Sequence, residues 1–278
     1  MNSINRLRRK FHTVFNESTN SIRVMPDFIV CGTSFCAKTF LYNNINQHKL
    51  ILNNLREESG FFLDTNENGL NWYKSNFPSF YYKKLFEAIY GKTSFVGETV
   101  NLPGYFVPKR VFNILKNPKI IVILRNPVDR AFARYLEEIR NGNETKSFED
   151  ALENELNLIK NHEEEIIKTK SPLELRNLFL YRLEGLYIEY LKQWNEYFPI
   201  KNMHIVKAES LFSEPLDTVN KCFDFLGIEH IKKITLSEKN NEKNKLVLKK
   251  ETRDKLSEYF EGYNQKLYQF LGIDFGWA

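Results

Sequence analysis

The chain has 278 residues, which at roughly 150 residues per domain allows one large domain or two small ones. With 42% hydrophobic and 27% charged residues it can bury a sizeable core and stay in solution, which excludes collagen, coiled-coil, disulfide-scaffold and disordered classes. The formal charge of +5 is spread along the chain and decides little, since it suits handling of an anionic small molecule as well as contact with nucleic acid.

Three cysteines, Cys31, Cys36 and Cys222, cannot form a paired framework and read as free thiols of a reducing compartment. No run approaches the ~18 apolar residues of a membrane span, and the start, MNSINRLRRKFHTVF, lacks the apolar centre of a secretory signal. A cytoplasmic protein without stable membrane insertion is therefore expected. Residues 1–25 form a basic leader in which Arg6, Arg8, Arg9 and Lys10 are either a solvated terminus or a patch meeting a membrane or partner.

Pro26 opens PDFIVCG, a short β-branched run ending at Gly32, and KTFLYNNINQH follows a polar turn with helical spacing at Phe40, Leu41 and Ile45. Strand, tight turn and helix make one βα unit. A second strand is expected at TSFVGET (93–99), a helix around Val107 to Leu115, and then KIIVILRNP. Ile120 to Leu124 is apolar at every position, as a strand covered on both faces requires. Pro127 begins a helix carrying Ala131, Phe132, Tyr135 and Leu136. Residues 144–170, with Glu163, Glu164 and Glu165 in succession, read as a solvated helix or excursion. A long amphipathic helix is expected from Pro172 to Tyr197, ended by Pro199. MHIVKAESL supplies a strand, Pro215 to Leu226 a helix closed by Gly227, and ITLSEKNNEKNKLVLKK a lysine-rich loop. A terminal helix runs from Glu251 to Leu271 and ends at Gly272. No internal repeat is visible. The alternation predicts an α/β fold, a single domain over residues 26–278 with a central parallel β-sheet flanked by helices on both faces.

Gly32 to Thr39 reads GTSFCAKT, which is GxxxxGK[ST] with Ala37 in place of the second glycine. A P-loop-like strand-turn-helix of this kind aims backbone N–H groups and a lysine at a phosphate, whereas the plainer alternative is a capped helix with a chance lysine. P-loop enzymes that use ATP or GTP hold magnesium with an acid at the end of a neighbouring strand. Here that strand ends in Arg125, which points to neutralisation of a second phosphate without metal.

PDFIVCGTSFCAKTFLYNNINQH resembles the first signature of the sulfotransferases that use 3′-phosphoadenosine 5′-phosphosulfate (PAPS), and KIIVILRNPVDRAFARY resembles their second. EESGFF and GETVNLPGYF fall where that family has a glutamate before paired aromatics and a GExxPxY-like segment, here with two extra residues before the proline. LEGLYIEYLKQWNEYFP, MHIVKAESLFSEP, FDFLGI and YNQKLYQFLGIDFGW match in kind and order. The resemblance covers nearly all of residues 26–277 and is nearest to the bacterial and heparan-type branch.

The resemblance implies sulfuryl transfer from PAPS, with adenosine 3′,5′-bisphosphate (PAP) as product and no metal. Gly32, Thr33, Ser34, Phe35, Cys36, Ala37, Lys38, Thr39 and Phe40 would cradle the 5′-phosphosulfate, and Arg125 would bind the 3′-phosphate beside the turn at Asn126 and Pro127. Ala133 and Tyr187 are further cofactor-site positions. Arg130 either braces that turn or touches the cofactor. Glu58 falls at the general-base position of the heparan enzymes, its alternative being a surface glutamate next to the equally titratable Glu57. Two departures stand out: Phe35 where the family has its catalytic lysine, and Ala133 where it has the serine that joins the arginine on the 3′-phosphate. Lys38 is expected to take over the lysine's electrostatic role, worth about 2.7 to 4 kcal/mol for one well-placed group.

The aromatics Trp72, Tyr73, Phe77, Phe80, Tyr81 and Tyr82, with Asp64 and Glu67 nearby, either wall an acceptor pocket or form a core patch. No dense basic groove suits a polyanionic chain, although a lysine-rich loop from Lys239 to Lys250 would be able to close over cofactor. A small-molecule acceptor is therefore expected, with no nucleic-acid partner. His162, His204 and His230 lack metal-ligand spacing. The competing functions are a P-loop kinase, for which Asp129 is the nearest acid, and a PAP(S)-binding protein without turnover.

Overall fold

The computed structural model describes residues 18–63, 69–160, 162–169, 180–235 and 246–277. The basic cluster Arg6 to Lys10, the acids Asp64 and Glu67, and Lys239 to Lys245 lie outside the described residues.

Alternation of side chains along strands explains how the molecule is layered. In Phe28–Gly32 (β1), Phe28 and Val30 point into one apolar cluster while Ile29 and Cys31 point into another on the opposite side. The same division holds in Lys119–Leu124 (β4), where Ile121 and Ile123 join the first cluster and Ile120, Val122 and Leu124 the second. A strand apolar at every position is thus one buried on both faces, as its composition predicts. The first cluster is covered by the helices Lys38–Ile45 and Pro215–Leu226, which contribute Leu41, Tyr42, Ile45, Val219 and Phe223. The second is covered by Val107–Leu115, Pro127–Arg140, Tyr187–Asn195 and Lys250–Leu271, through residues such as Val111, Ala131, Leu191 and Phe260.

The sheet has five parallel strands in the order β2-β3-β1-β4-β5, with β2 at Ile51–Leu52, β3 at Phe95–Asn101 and β5 at Met203–Lys207. The chain leaving β1 goes to the β2/β3 side, and the chain leaving β4 goes to β5 on the other. The carboxyl ends of these adjacent strands, Gly32 and Leu124, therefore flank the point where the winding reverses, the place where open α/β sheets hold ligands.

Three expectations are corrected. The helix expected from Pro172 to Tyr197 is not continuous in its described part: a 3-10 turn at Leu183–Gly185 precedes a helix confined to Tyr187–Asn195. Gly185 lies where a Cβ would come within 2.8 Å of the Phe260 ring and 2.9 Å of Pro127, so its backbone is held by packing and not by helical continuation. The buried Glu155 carboxylate completes the turn by accepting from Arg182 N at 2.8 Å and Leu183 N at 3.0 Å. The charged stretch 144–170 is not simply solvated, because Phe148–Ile159 is a helix that buries Phe148, Ala151, Leu152 and Ile159. The strand expected at 93–99 starts and ends two residues later, which makes Asn101 its last residue.

Candidate active site

Gly32 ends β1 where a Cβ would meet Ile123 at 3.1 Å, so the chain leaves the strand in close contact with β4. The turn beyond it contains two non-glycine residues in the left-handed region, Phe35 (φ 67°) and Ala37 (φ 65°), a conformation costing about 1–2 kcal/mol for an L-residue. Its shape is held from several sides. Thr33 Oγ1 and Cys36 Sγ are 3.0 Å apart, Arg125 Nη1 donates to Phe35 O at 3.0 Å, and the Arg134 guanidinium lies 5.7 Å from the Phe35 ring centre. Ala37 is the residue before the Lys38–Ile45 helix and no side chain caps that helix, so its first N–H groups stay open toward an anion.

A cavity of about 870 Å³ opens over this turn. One wall is Thr33, Ser34, Phe35, Ala37, Lys38, Thr39 and Phe40; a second is Glu58, Ser59, Gly60, Leu63, Asn101 and Pro103; a third is Arg134, Glu137, Glu138, Asn141 and Glu184. Lys38 and Glu58 come together in it. Lys38 Nζ lies 3.1 Å from Glu58 Oε2 and donates to Asn101 Oδ1 at 2.7 Å, while Asn101 Nδ2 donates to Glu58 Oε1 at 2.8 Å. Glu57 is exposed and does not line the cavity; its carbonyl accepts from Thr99 N at 2.9 Å and Thr99 Oγ1 at 3.1 Å.

Gly32, Cys36, Arg125, Ala133 and Tyr187 do not line the cavity. Tyr187 is buried, and its hydroxyl donates to Arg125 O at 2.8 Å and lies 3.4 Å from Cys36 Sγ. It therefore supports both the turn and the arginine, and burial pushes its phenol well above the usual range. Arg125 and Ala133 are half-buried, and the Arg125 guanidinium also lies 6.0 Å from the Phe212 ring. Asn126 caps the next helix, its side chain accepting from Val128 N at 2.9 Å, and its own N–H donates to Glu209 at 2.7 Å. Arg130 is fully buried, paired with Glu184 at 3.2 Å and bonded to the Tyr181 carbonyl, so it ties its helix to the chain around Leu183–Gly185.

The aromatic stretch does not wall the cavity. Phe61, Phe62, Tyr73 and Phe77 are core, Trp72 lies under Arg56 at 5.0 Å, and Phe80, Tyr81 and Tyr82 are exposed on a helix away from the site. Two residues of consequence escape a reading of the sequence. Asn101 is one. The other is Glu98, buried in β3, where its carboxyl accepts from Tyr73 Oη at 2.6 Å and Ser59 N at 3.2 Å. Burial pushes this carboxyl up to about 7, against the hydrogen bonds from Ser59 and Tyr73. The GET triplet sets Glu98 in the GExxPxY-like segment but gives no sign of its burial or of its partners. His204 stacks on Phe225, and among the described residues no group of three or more His, Cys, Asp or Glu side chains is placed to hold a metal.

Residues 25–268 match the sulfotransferase domain family. The chain belongs to the sulfotransferase family. This sulfotransferase is similar to a solved sulfotransferase from Alicyclobacillus acidocaldarius, with 25% identity and a TM-score of 0.67, covering 90% of this chain and 97% of that one. It is 25% identical to the membrane-associated sulfotransferase kil1 of Dictyostelium discoideum over 91% of its own length, and 27% identical to the human heparan sulfate glucosamine 3-O-sulfotransferase 3B1 over 79%. The chain spans 66% and 57% of the lengths of these two relatives. Among its described residues no helix is long and apolar enough to cross a membrane.

Proposed function

We propose that this sulfotransferase moves a sulfuryl group from PAPS to a hydroxyl or amine of a small-molecule acceptor. The observation that carries the reading is the meeting of Lys38 and Glu58, a cation and a carboxylate 3.1 Å apart, in one cavity with an uncapped helix start. The turn fits an anionic phosphosulfate: it combines open N–H groups, the hydroxyls of Thr33, Ser34 and Thr39, and the Lys38 ammonium. Arg125, on the adjacent strand end and partly exposed, fits the second phosphate that distinguishes this nucleotide. When bound, PAPS supplies the sulfuryl group and a stable leaving group. Lys38 holds positive charge where the family's usual lysine is replaced by Phe35. Glu58, 36% exposed and facing the cavity, accepts the proton that the acceptor loses.

A volume near 870 Å³ is within the ordinary range for small ligands, roughly 300–1,000 Å³. Its wall carboxylates are each paired with a base, Glu58 with Lys38, Glu137 with Arg140, Glu138 with Arg134 and Glu184 with Arg130 and Arg134, which leaves no row of free cations for a polyanionic chain among the described lining residues and supports a small acceptor. The kinase alternative is disfavoured because Asp129 faces Arg253 at 2.5 Å on the terminal helix. Cys31, Cys36 and Cys222 are buried and unpaired, which supports a reducing compartment.

Two measurements test the reading. Thermal stabilisation by PAP should exceed that by Mg-ATP, and [35S]PAPS should label hydroxyl or amine compounds from a panel that includes a heparan chain. Preferential stabilisation by Mg-ATP would overturn the assignment, labelling of heparan alone would overturn the small-molecule acceptor, and PAP binding without any transfer would identify a binder.

A further inference from the structure

We infer that Asn101 is a positioning residue for the transfer, holding the base Glu58 and the cation Lys38 in one fixed relation through its single side-chain amide. The inference rests on the function proposed above. An amide has an acceptor end and a donor end, and Asn101 uses them on groups of opposite charge: Oδ1 accepts from Lys38 Nζ at 2.7 Å and Nδ2 donates to Glu58 Oε1 at 2.8 Å. With Lys38 Nζ 3.1 Å from Glu58 Oε2, the three side chains close a ring.

The backbone on which Asn101 stands is well fixed. It is the last residue of β3, in register with Gly32, and the next N–H, from Leu102, donates to Gly32 O at 3.1 Å. Glu58 is anchored on each side by the same strand, through the Glu57 carbonyl on Thr99 and through Ser59 on Glu98. Those anchors fix where the Glu58 backbone lies but not where its carboxylate aims. Asn101 supplies the aim. It belongs to the stretch GETVNLPGYF, directly before Leu102 and Pro103.

The geometry also separates the two carboxylate oxygens. If Lys38 turns toward an anion on the loop, Oε2 is released and can take a proton, while Oε1 stays bonded to Asn101. The base then keeps its direction at the moment it loses its counter-ion.

The test compares wild type with Asn101→Leu and Asn101→Asp in PAPS-dependent transfer. Asn101→Leu removes both ends of the amide and should lower kcat by about tenfold to a hundredfold, the usual penalty for a misaimed group, with KM for PAPS changed far less. Asn101→Asp keeps the size and the acceptor for Lys38 but sets a like charge beside Glu58, so the acidic limb of the kcat-pH profile should move up by about one unit. A purely structural asparagine would lower the thermal midpoint and leave that limb in place. Where Asn101→Leu fails to fold, the Asn101→Asp profile decides. An active wild type whose variants keep kcat within twofold, or whose Asp variant keeps the wild-type limb, overturns the role of Asn101 alone. A wild type that transfers nothing from PAPS overturns the underlying function, and the inference with it.

Discussion

Lys38 and Glu58 form an ion pair, Nζ to Oε2 at 3.1 Å, in which the lysine side chain is 8% exposed and the glutamate 36%. Water reaches this pair only from the glutamate side, which screens it in part, and Lys38 also keeps its bond to Asn101, so the chief value of the pair lies in what each partner does to a ligand. Lys38→Ala should therefore lower kcat by about 10²- to 10³-fold, the cost of removing one preorganised charge-stabilising group. The thermal midpoint should fall by no more than a few degrees. Turnover assays beside a melting curve check both halves, and unchanged turnover would show that Phe35's missing lysine has no replacement at Lys38.

Beneath the same turn, Tyr187 joins the segments that follow β1 and β4 by donating to Arg125 O and touching Cys36 Sγ. Tyr187→Phe keeps the ring and removes the hydroxyl, leaving a carbonyl with no donor from that side. The cost should be about 1–3 kcal/mol of stability. Because the carbonyl belongs to Arg125, the dissociation constant for PAP should rise as well, whereas kcat at saturating PAPS should change little. Calorimetric titration with PAP and a urea unfolding curve measure the two effects. A loss of stability with unaltered PAP affinity would separate Tyr187 from the nucleotide site.

Local features of the fold are legible in the sequence, and long-range ones are not. The first βα unit is legible because an apolar run, a polar turn and a helical spacing follow within residues 26–48, and the helix ends at Gly227 and Gly272 because each glycine takes a positive φ, 81° and 66°. The strand at Ile51–Leu52 is too short to carry a period. The break at Gly185 arises from Phe260 and Pro127 packing on its backbone, contacts that no local pattern records. The site divides the same way. Lys38 is marked by its place after the strand, whereas Glu98 depends on Tyr73 and Ser59, 25 and 39 residues away, and Asn101 on partners 63 and 43 residues away. Aromatic crowding between Phe61 and Tyr82 has the same appearance whether it lines a pocket or fills a core, and here it fills a core and covers a surface helix.

Ala37 occupies the left-handed region at φ 65° and ψ 23°, where a side chain costs about 1–2 kcal/mol relative to glycine. Ala37→Gly relieves that strain but gives the unfolded chain more freedom, which offsets about 0.4–1 kcal/mol. A net gain of up to about 1 kcal/mol should raise the thermal midpoint by roughly 2–4 °C. A lowered midpoint would mean that the methyl group, which lines the cavity, packs better than its backbone angle suggests.

Glu98 sets a pH dependence whose sign can be worked out. Its carboxyl is pushed up to about 7 by burial, while the same group in an unfolded chain titrates near 4.5. Between these values the folded protein holds a proton that the unfolded chain has released, so folding loses stability as pH rises through that window. Glu155, also pushed up to about 7 by burial, acts in the same direction, while Glu87 and Glu149, held low by hydrogen bonds, act in the opposite one. All of these remain in Glu98→Gln, so they cancel when the two proteins are compared. The glutamine stays neutral and keeps one acceptor oxygen for Ser59 or Tyr73, with an NH2 donor in place of the other, a change that is the same at every pH. Relative to wild type its unfolding free energy should therefore improve as pH rises from 4.5 to 7, by at most about 1.4 kcal/mol per pH unit, and run parallel above 7. Urea unfolding of both proteins at half-unit steps from pH 4.5 to 8 measures the difference directly. Curves that stay parallel throughout would mean that Glu98 enters the fold already ionised, with Tyr73 and Ser59 compensating its burial in full.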